Sequence, residues 1–114
     1  LKMKKIEAII RTQKFDSVRD ALALIGVKFF TLKEVKGYGL QKGKTLKYRG
    51  SSYGADFIAR LQLDIITTKE KVDQIVETIT TSGRTGDIGD GKIIVFDIET
   101  TLRIRNGDKG PEAI

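Results

Sequence analysis

A glycine-rich segment near residue 90 has the composition of an anion-binding loop. It reads GDIGDGKI (86–93); its glycines would let main-chain N–H groups approach a phosphate closely, and Lys92 would add a positive charge. The segment matches G-x-x-x-x-G-K, but Ile93 follows the lysine where a P-loop needs Ser or Thr, and a strand is predicted next instead of a helix. It is therefore not a Walker A motif. On these residues alone, a glycine-rich turn without a ligand is the favoured alternative.

Two arginines near the end of the sequence could hold a polyphosphate. Arg103 and Arg105 stand in TLRIRNGDKG (101–110), and in an extended segment residues two apart project to the same side. Paired guanidinium groups suit phosphate oxygens because each is a planar fork of hydrogen-bond donors. The alternative is a solvated pair that binds nothing.

The composition argues against catalysis and favours an anionic partner. The 114 residues include no His and no Cys, which removes the commonest general base and the thiol nucleophile, and no nucleophile–base set can be assembled from the rest. We therefore predict a protein that is not an enzyme. The net charge of +6 favours a nucleotide, a nucleic acid or a membrane surface, although it also serves solubility. Because the first residues lack a long apolar run, we predict a cytoplasmic protein without a signal peptide or membrane span.

Two similar halves must position these groups. Residues 6–26 and 63–83 each begin with a strand-like aliphatic run and continue with apolar residues at helical spacing. Further strands are predicted at 28–36 and 92–99, which gives the order βαββαβ. This order predicts a ferredoxin-like α+β fold, in which two helices cover one face of a four-stranded antiparallel sheet. Strands rich in Ile, Val and Leu should not leave the other face in water, so we expect oligomerisation through it.

Local signals mark the ends of the predicted helices. Gly26 and Gly83 follow the two helical patterns, where a left-handed turn favours glycine. Thr67 and Glu70 have the spacing of a capping box before the second helix.

The connection between the two middle strands is unusually long. Residues 37–54, GYGLQKGKTLKYRGSSYG, hold five of the twelve glycines, all three tyrosines, four Lys or Arg residues and no acid. A hairpin needs only about two to five connecting residues. The excess predicts a functional loop, and a loop without function is the alternative.

A fragment of this loop also suggests RNA binding. KGYG (36–39) is similar to the start of the RNP1 signature, which occurs in modules with the same element order. The continuation LQKG lacks the aromatic residues that stack on bases. Phe29 and Phe30, predicted as neighbours on the second strand, would point to opposite faces. A basic RNA-binding module of ferredoxin-like fold is therefore the alternative function, supported mainly by charge.

Two longer motifs resemble signatures of the PII nitrogen-regulatory proteins, the GlnB/GlnK family. EVKGYGLQKGKTLKYRGSSY resembles the T-loop signature and RTGDIGDGKIIV the second signature, and the likeness runs from KKIEAIIR to RIRNGDKGPEAI. The resemblance implies one domain over 1–114, with a T-loop at 37–54, a B-loop at 84–92 and a C-terminal segment at 101–114. It implies a homotrimer that senses ATP, ADP and 2-oxoglutarate, and whose T-loops act on an ammonium transporter or another nitrogen-metabolism protein. Membrane contact would come only through such a transporter, and no nucleic acid is expected.

The resemblance also implies roles for individual residues. Those implied to bind ATP or ADP, in clefts between subunits, are Thr31, Gly37, Gly39, Gln41, Ile66, Gly89, Asp90, Gly91, Lys92, Arg103 and Arg105. Gln41 is implied to ligate Mg²⁺ together with ATP and 2-oxoglutarate, and Arg60 to pair with the distal carboxylate of 2-oxoglutarate. Tyr53 is the implied site of uridylylation, Ser51 that of phosphorylation, and Arg49 the residue that enters a transporter pore.

Four positions depart from the pattern of the family. Arg60 replaces the usual lysine, and Leu40 replaces a frequent arginine that touches the outer phosphate. Thr12 replaces a near-universal proline, and Lys44 a histidine of some transporter-binding members. The first two departures bear on the affinity for 2-oxoglutarate and on the preference for ATP over ADP, because a guanidinium and an ammonium are not interchangeable.

Overall fold

The order of the elements follows the predicted pattern. The computed structural model describes residues 2–40 and 55–114, which form β1 (Met3–Arg11), α1 (Phe15–Leu24), β2 (Thr31–Leu40), β3 (Ala55–Thr68), α2 (Val72–Gly83) and β4 (Lys92–Ile98). A short 3-10 turn precedes each helix, and another lies at Gly110–Ala113. The strands pair antiparallel in the order β2-β3-β1-β4. The predicted ferredoxin-like βαββαβ fold is therefore confirmed.

Strand alternation determines which face the helices cover. On β1, Ile6, Ala8 and Ile10 are buried, whereas the side chains between them point to the other face of the sheet. These residues pack on the apolar stripes of the two helices, which supply Val18, Leu22, Ile75 and Ile79. Each fully buried aliphatic side chain contributes about 1.5–3 kcal/mol. The helical spacing predicted for both halves is confirmed.

One of the two predicted glycine turns is present. Gly26 has a φ of +89° and follows α1 as expected. Gly83 is instead the buried last residue of α2. A Cβ there would lie 3.4 Å from Cγ2 of Val18 and 3.9 Å from Cγ2 of Ile10. The turn predicted at Gly83 is wrong, and this glycine permits the close packing of α2 on its neighbours.

The capping box predicted before α2 is also wrong. β3 extends through Thr68, which leaves Thr67 buried inside the strand. The turn Lys69–Lys71 separates the strand from the helix and has no side-chain cap. The Glu70 carboxylate accepts a hydrogen bond from its own main-chain N–H and another from the Thr68 hydroxyl. These two bonds, the first more than the second, lower the pKa of Glu70.

The open face of the sheet, the one that the helices leave uncovered, is less apolar than predicted. Lys33 Nζ lies 3.1 Å from Asp64 Oδ2, and Lys5 Nζ lies 3.7 Å from Glu7 Oε1. The apolar side chains around these ion pairs are between 38% and 42% exposed: Ile66, Ile94 and Phe96. The face is therefore a mixed surface, with half-exposed apolar side chains around a charged centre.

Neither helix of the described part resembles a membrane-spanning segment. α1 has 10 residues and α2 has 12, whereas a span needs about 20 predominantly apolar residues. Within 2–40 and 55–114, no helix has the length and apolar character to cross a membrane.

Candidate functional site

The glycine-rich segment forms a loop that runs tightly against β1. Gly91 has a φ of +96°, and a Cβ there would lie 1.8 Å from the carbonyl oxygen of Ile9. Only glycine fits both the left-handed backbone and this close approach. Gly89 has a φ of +105°, and a Cβ there would lie 3.0 Å from Nη2 of Arg60. Two glycines expected at a phosphate thus also determine the shape of the B-loop.

Asp90 holds the B-loop in this shape. Its carboxylate accepts hydrogen bonds from the main-chain N–H groups of Thr85 (2.9 Å) and Gly86 (2.8 Å), from the Thr85 hydroxyl (2.5 Å) and from Nε of Arg11 (2.9 Å). The Thr85 hydroxyl and the Arg11 guanidinium are the main reasons why the pKa of Asp90 lies well below its usual range. A carboxylate repels phosphate, and four donors direct this one into the loop. The Asp90 side chain is therefore a structural support of the loop.

Two arginines contact the carbonyl groups of the same loop. Arg11 and Arg60 are directly opposite each other on β1 and β3. Nη2 of Arg11 donates to the carbonyl oxygen of Ile88 (2.9 Å), and Nη2 of Arg60 donates to that of Gly89 (3.0 Å). Like charges at opposite positions of a sheet repel each other, and the two carbonyl groups and Asp90 offset this repulsion. Arg60 is a predicted site residue, whereas no sequence motif points to Arg11.

These arginine contacts orient main-chain donors of the loop. In a trans peptide the C=O and the following N–H point in opposite directions. Because the carbonyls of Ile88 and Gly89 point toward the arginines, the N–H groups of Gly89 and Asp90 point away from them. Lys92, the exposed first residue of β4, pairs with Ile9. We call these two N–H groups and Lys92 the phosphate cradle, because main-chain N–H groups and a cation in one loop suit a phosphate.

The predicted T-loop begins as a strand. Gly37 and Gly39 pair with β3 just beyond Arg60, at the same end of the sheet as the B-loop. Residues 37–40 therefore belong to β2, where a loop was predicted. The other residues implied to act from this loop lie outside the described residues: Gln41, Arg49, Ser51 and Tyr53.

A cavity of about 600 Å³, within the usual size range of small-molecule sites, lies at the opposite end of the sheet. Because β2 begins opposite Asp64, residues 65–68 of β3 pair with β1 on one side only. Such a strand edge presents main-chain N–H and C=O groups. The cavity lies along this edge, and two residues predicted to bind nucleotide, Thr31 and Ile66, line it together with Phe29, Gln74, Leu102 and Ala113. We call it the base cavity.

The aromatic pair before β2 does not lie on the strand. Phe30 packs edge-on against Phe15, with ring centroids 6.2 Å apart. Phe29 is 78% exposed and lines the base cavity. The prediction that both stand on the second strand is wrong, because that strand starts at Thr31 and not at residue 28.

The C-terminal segment forms a turn near the base cavity. The N–H of Gly107 donates to the carbonyl of Arg103 at 2.8 Å, so the extended conformation predicted for the two arginines is wrong. The guanidinium of Arg103 donates to Asp108 Oδ2 (3.2 Å) and to the carbonyl oxygen of Glu112 (3.0 Å). Arg105 is exposed within the turn. Arg103 therefore already stabilises its own segment.

The phosphate cradle and the base cavity lie toward opposite edges of the sheet. Thr31 begins the edge strand β2 and Lys92 begins the edge strand β4, with two strands between them. At about 4.8 Å per strand, they are about 14 Å apart across the sheet. Asp64 lines the base cavity beside Thr31, and Glu7 lies directly opposite it on β1, so two carboxylates on this face would repel a phosphate there. Within one protomer the two regions are therefore separate.

Comparisons with known proteins identify the family of this chain. The family model described as nitrogen regulatory protein P-II matches residues 3–108. The P-II proteins of Pasteurella multocida and Klebsiella oxytoca are 48% and 49% identical over 112 residues, 98% of this chain and all of each relative. A structure of B. subtilis GlnK superposes with a TM-score of 0.84 at 40% identity over both whole chains. A GlnK–ATP complex from B. subtilis gives 0.84 at 38% identity, covering 99% of this chain and 96% of the other. Arabidopsis thaliana PII bound to citrate gives 0.80 at 32% identity, covering 99% and 92%. This chain belongs to the nitrogen regulatory protein P-II family.

Proposed function

We propose that this protein is a nucleotide-gated regulator of nitrogen metabolism, built as a homotrimer with one ATP or ADP site at each subunit boundary. One observation carries the proposal: in one protomer the base cavity lies at the β2 edge of the sheet and the phosphate cradle at the β4 edge. A contact between two different surfaces closes into a ring when the rotation between copies permits it. Each boundary of such a ring would join a base cavity to a phosphate cradle.

The two halves suit different parts of a nucleotide. The base would lie along the β3 edge beside Thr31 and Ile66, where main-chain groups can hydrogen-bond to the edge of a base. The phosphates would reach the Gly89 and Asp90 N–H groups and Lys92 of the neighbouring subunit. Arg103 and Arg105 would approach the same phosphates from the subunit that holds the base. The GlnK–ATP complex among the structural neighbours supports this ligand class.

A keto-acid site would adjoin the phosphate cradle. Arg60 lies at the B-loop, where its fork can pair with a carboxylate, and a carboxylate ligand is present in the citrate-bound neighbour. We propose that 2-oxoglutarate binds here with Mg²⁺ and ATP, with the distal carboxylate on Arg60 and the amide oxygen of Gln41 on the metal. A glutamine oxygen, phosphates and a keto acid supply the hard oxygen ligands that Mg²⁺ prefers.

The T-loop would carry the output of the regulator. We propose that it docks on an ammonium transporter or another nitrogen-metabolism protein, with Arg49 as its main contact. Uridylylation of Tyr53 or phosphorylation of Ser51 would add negative charge beside Arg49 and release the partner. The protein would act in the cytoplasm and reach a membrane only through a transporter.

The alternative of an RNA-binding module receives no support from the sheet. RNA-recognition modules stack bases on aromatic residues of the sheet. In the described part of the chain, the open-face positions of the inner strands β1 and β3 carry no aromatic side chain. The family description is regulatory, and we propose no catalytic role.

Mixing two defective subunits tests the divided site. Lys92→Ala damages the cradle, and Ile66→Glu places a carboxylate in the base cavity at a position that is already 42% exposed. Losing one charge-assisted contact costs about 1.5–3 kcal/mol, so Lys92→Ala alone should weaken ATP binding about tenfold or more. When equal amounts are unfolded and refolded together, about one quarter of the boundaries join two intact halves.

Calorimetry should then recover tight ATP sites at about one quarter of the parent stoichiometry. Each variant refolded alone is the control and should show none. Native mass spectrometry verifies that mixed oligomers have formed. Mixed oligomers without any recovered tight site would contradict a site shared between subunits, and so would unchanged ATP affinity in Lys92→Ala.

A further inference from the structure

Phe29 is a large aromatic side chain that is exposed at the wall of the base cavity. It lies in the connection between α1 and β2, and 78% of it is exposed, whereas the next residue, Phe30, packs into the protein against Phe15. Phe29 also lines the base cavity together with Thr31 and Ile66. A large aromatic side chain at the wall of a cavity has surface that only a ligand or a partner would cover.

The surroundings of Phe29 fit a flat aromatic ligand. On the sheet side, the β3 edge at residues 65–68 presents main-chain groups to the rim of such a ligand. The side chains of Ile66 and Leu102 are apolar walls. Phe29 adds a π-face, which attracts a nucleobase by stacking. The exposed pair Tyr38 and Phe57 could not substitute for it, because these rings lie near the T-loop end of the sheet.

We propose that Phe29 stacks on the base of the bound nucleotide and favours purines over pyrimidines. The proposal rests on the nucleotide function proposed above and adds a contact for the base alone. A purine presents a larger ring surface than a pyrimidine, so it gains more from the stack. Because the contact does not involve the phosphates, ATP and ADP gain equally from it.

Three substitutions at Phe29 and one elsewhere test the stack. By calorimetry, Phe29→Ala should weaken ATP and ADP about tenfold each, and should lower the preference for ATP over CTP. Phe29→Leu keeps apolar volume without a π-face and should also lose affinity. Phe29→Trp should retain binding, with indole fluorescence that is quenched by ATP. Leu24→Ala is the matched control, since Leu24 is 88% exposed but does not line the cavity.

The outcomes separate this proposal from the function on which it rests. If the parent protein binds no ATP, the nucleotide function itself fails. If the parent binds ATP but Phe29→Ala binds equally well, only the stacking role is overturned. Full affinity in Phe29→Leu would assign Phe29 to apolar packing instead of stacking. A change of oligomeric state in Phe29→Ala, measured by light scattering, would make Phe29 an interface residue and would also overturn the proposal.

Discussion

Replacing Gly91 with alanine should destabilise the protein strongly. A Cβ at this position would lie 1.8 Å from the carbonyl oxygen of Ile9, whereas real Cβ contacts are essentially never shorter than 3.0 Å, so about 1.2 Å of movement is required. Ile9 cannot supply it cheaply, because β1 is an inner strand and Ile9 pairs with Gln62 on one side and Lys92 on the other. The B-loop must therefore move instead.

The expected magnitude combines two effects. A non-glycine residue with a left-handed backbone costs about 1–2 kcal/mol. Moving the loop off β1 would also strain the bonds that Asp90 makes with Thr85 and Arg11, so we expect a total of about 3 kcal/mol or more. For a domain of this size, about 1 kcal/mol corresponds to roughly 5 °C in Tm. Gly91→Ala should therefore lower Tm by roughly 15 °C.

Gly86→Ala is the matched control. Gly86 lies in the same loop with a φ of +94°, but a Cβ there would meet nothing within 4 Å. It should lower Tm by roughly 5–10 °C, through backbone strain alone. Circular dichroism melts of both variants at one protein concentration make the comparison, since assembly links Tm to concentration. Equal melting temperatures for the two variants would refute the clash with Ile9 as the reason for glycine at 91.

Two further predictions concern charge. Because the folded pKa of Asp90 lies below its unfolded value, its contribution to stability is present above about pH 4 and is lost as the pH falls through the folded pKa. Asp90→Asn should therefore melt below the parent at pH 7, and the gap should narrow in melts at or below about pH 4; a constant gap would contradict this. In calorimetry with Mg²⁺, 2-oxoglutarate should tighten ATP but not ADP, and ATP should tighten 2-oxoglutarate by the same factor. No response of ATP affinity to saturating 2-oxoglutarate would exclude the proposed role of Arg60.

The fold was predictable because periodicity reports which face of an element is buried. Val18 and Leu22 fall on the apolar stripe of α1 in the sequence, and they are buried in the structure. The aliphatic run at the start of the first half predicted a strand, and on that strand Ile6 and Ile10 are buried. The helix ends were less predictable. Gly83 follows a helical pattern whether it makes a turn or a packing contact, and only the position of Val18 decides between the two.

The contacts that hold the B-loop in shape could not be predicted from patterns of neighbouring residues in the sequence. Arg11 and Asp90 are 79 residues apart in sequence. No motif around either residue predicts that they bond to each other. Asp90 stands in the segment GDIGDGKI, where the resemblance implies a nucleotide contact and no local pattern indicates its bonds within the loop. The turn after Arg103 did have a signal. Asn106 accepts a hydrogen bond from the N–H of Asp108 at 3.0 Å, and N-G-D is typical turn chemistry.

The position of Arg60 suggests how a keto acid and a nucleotide could influence each other. Two of its five N–H donors are accounted for by the carbonyl oxygens of Ala59 and Gly89, each at 3.0 Å. The Gly89 peptide group also carries the N–H of Asp90, so the bond from Arg60 sets the direction in which that N–H points. A carboxylate that shifts the guanidinium while the bond to Gly89 is kept would therefore turn one donor of the phosphate cradle. A lysine has no planar fork to serve a carboxylate and a carbonyl at the same time. Arg60 could hold both, which would make the strength of coupling between the two ligands depend on this one residue.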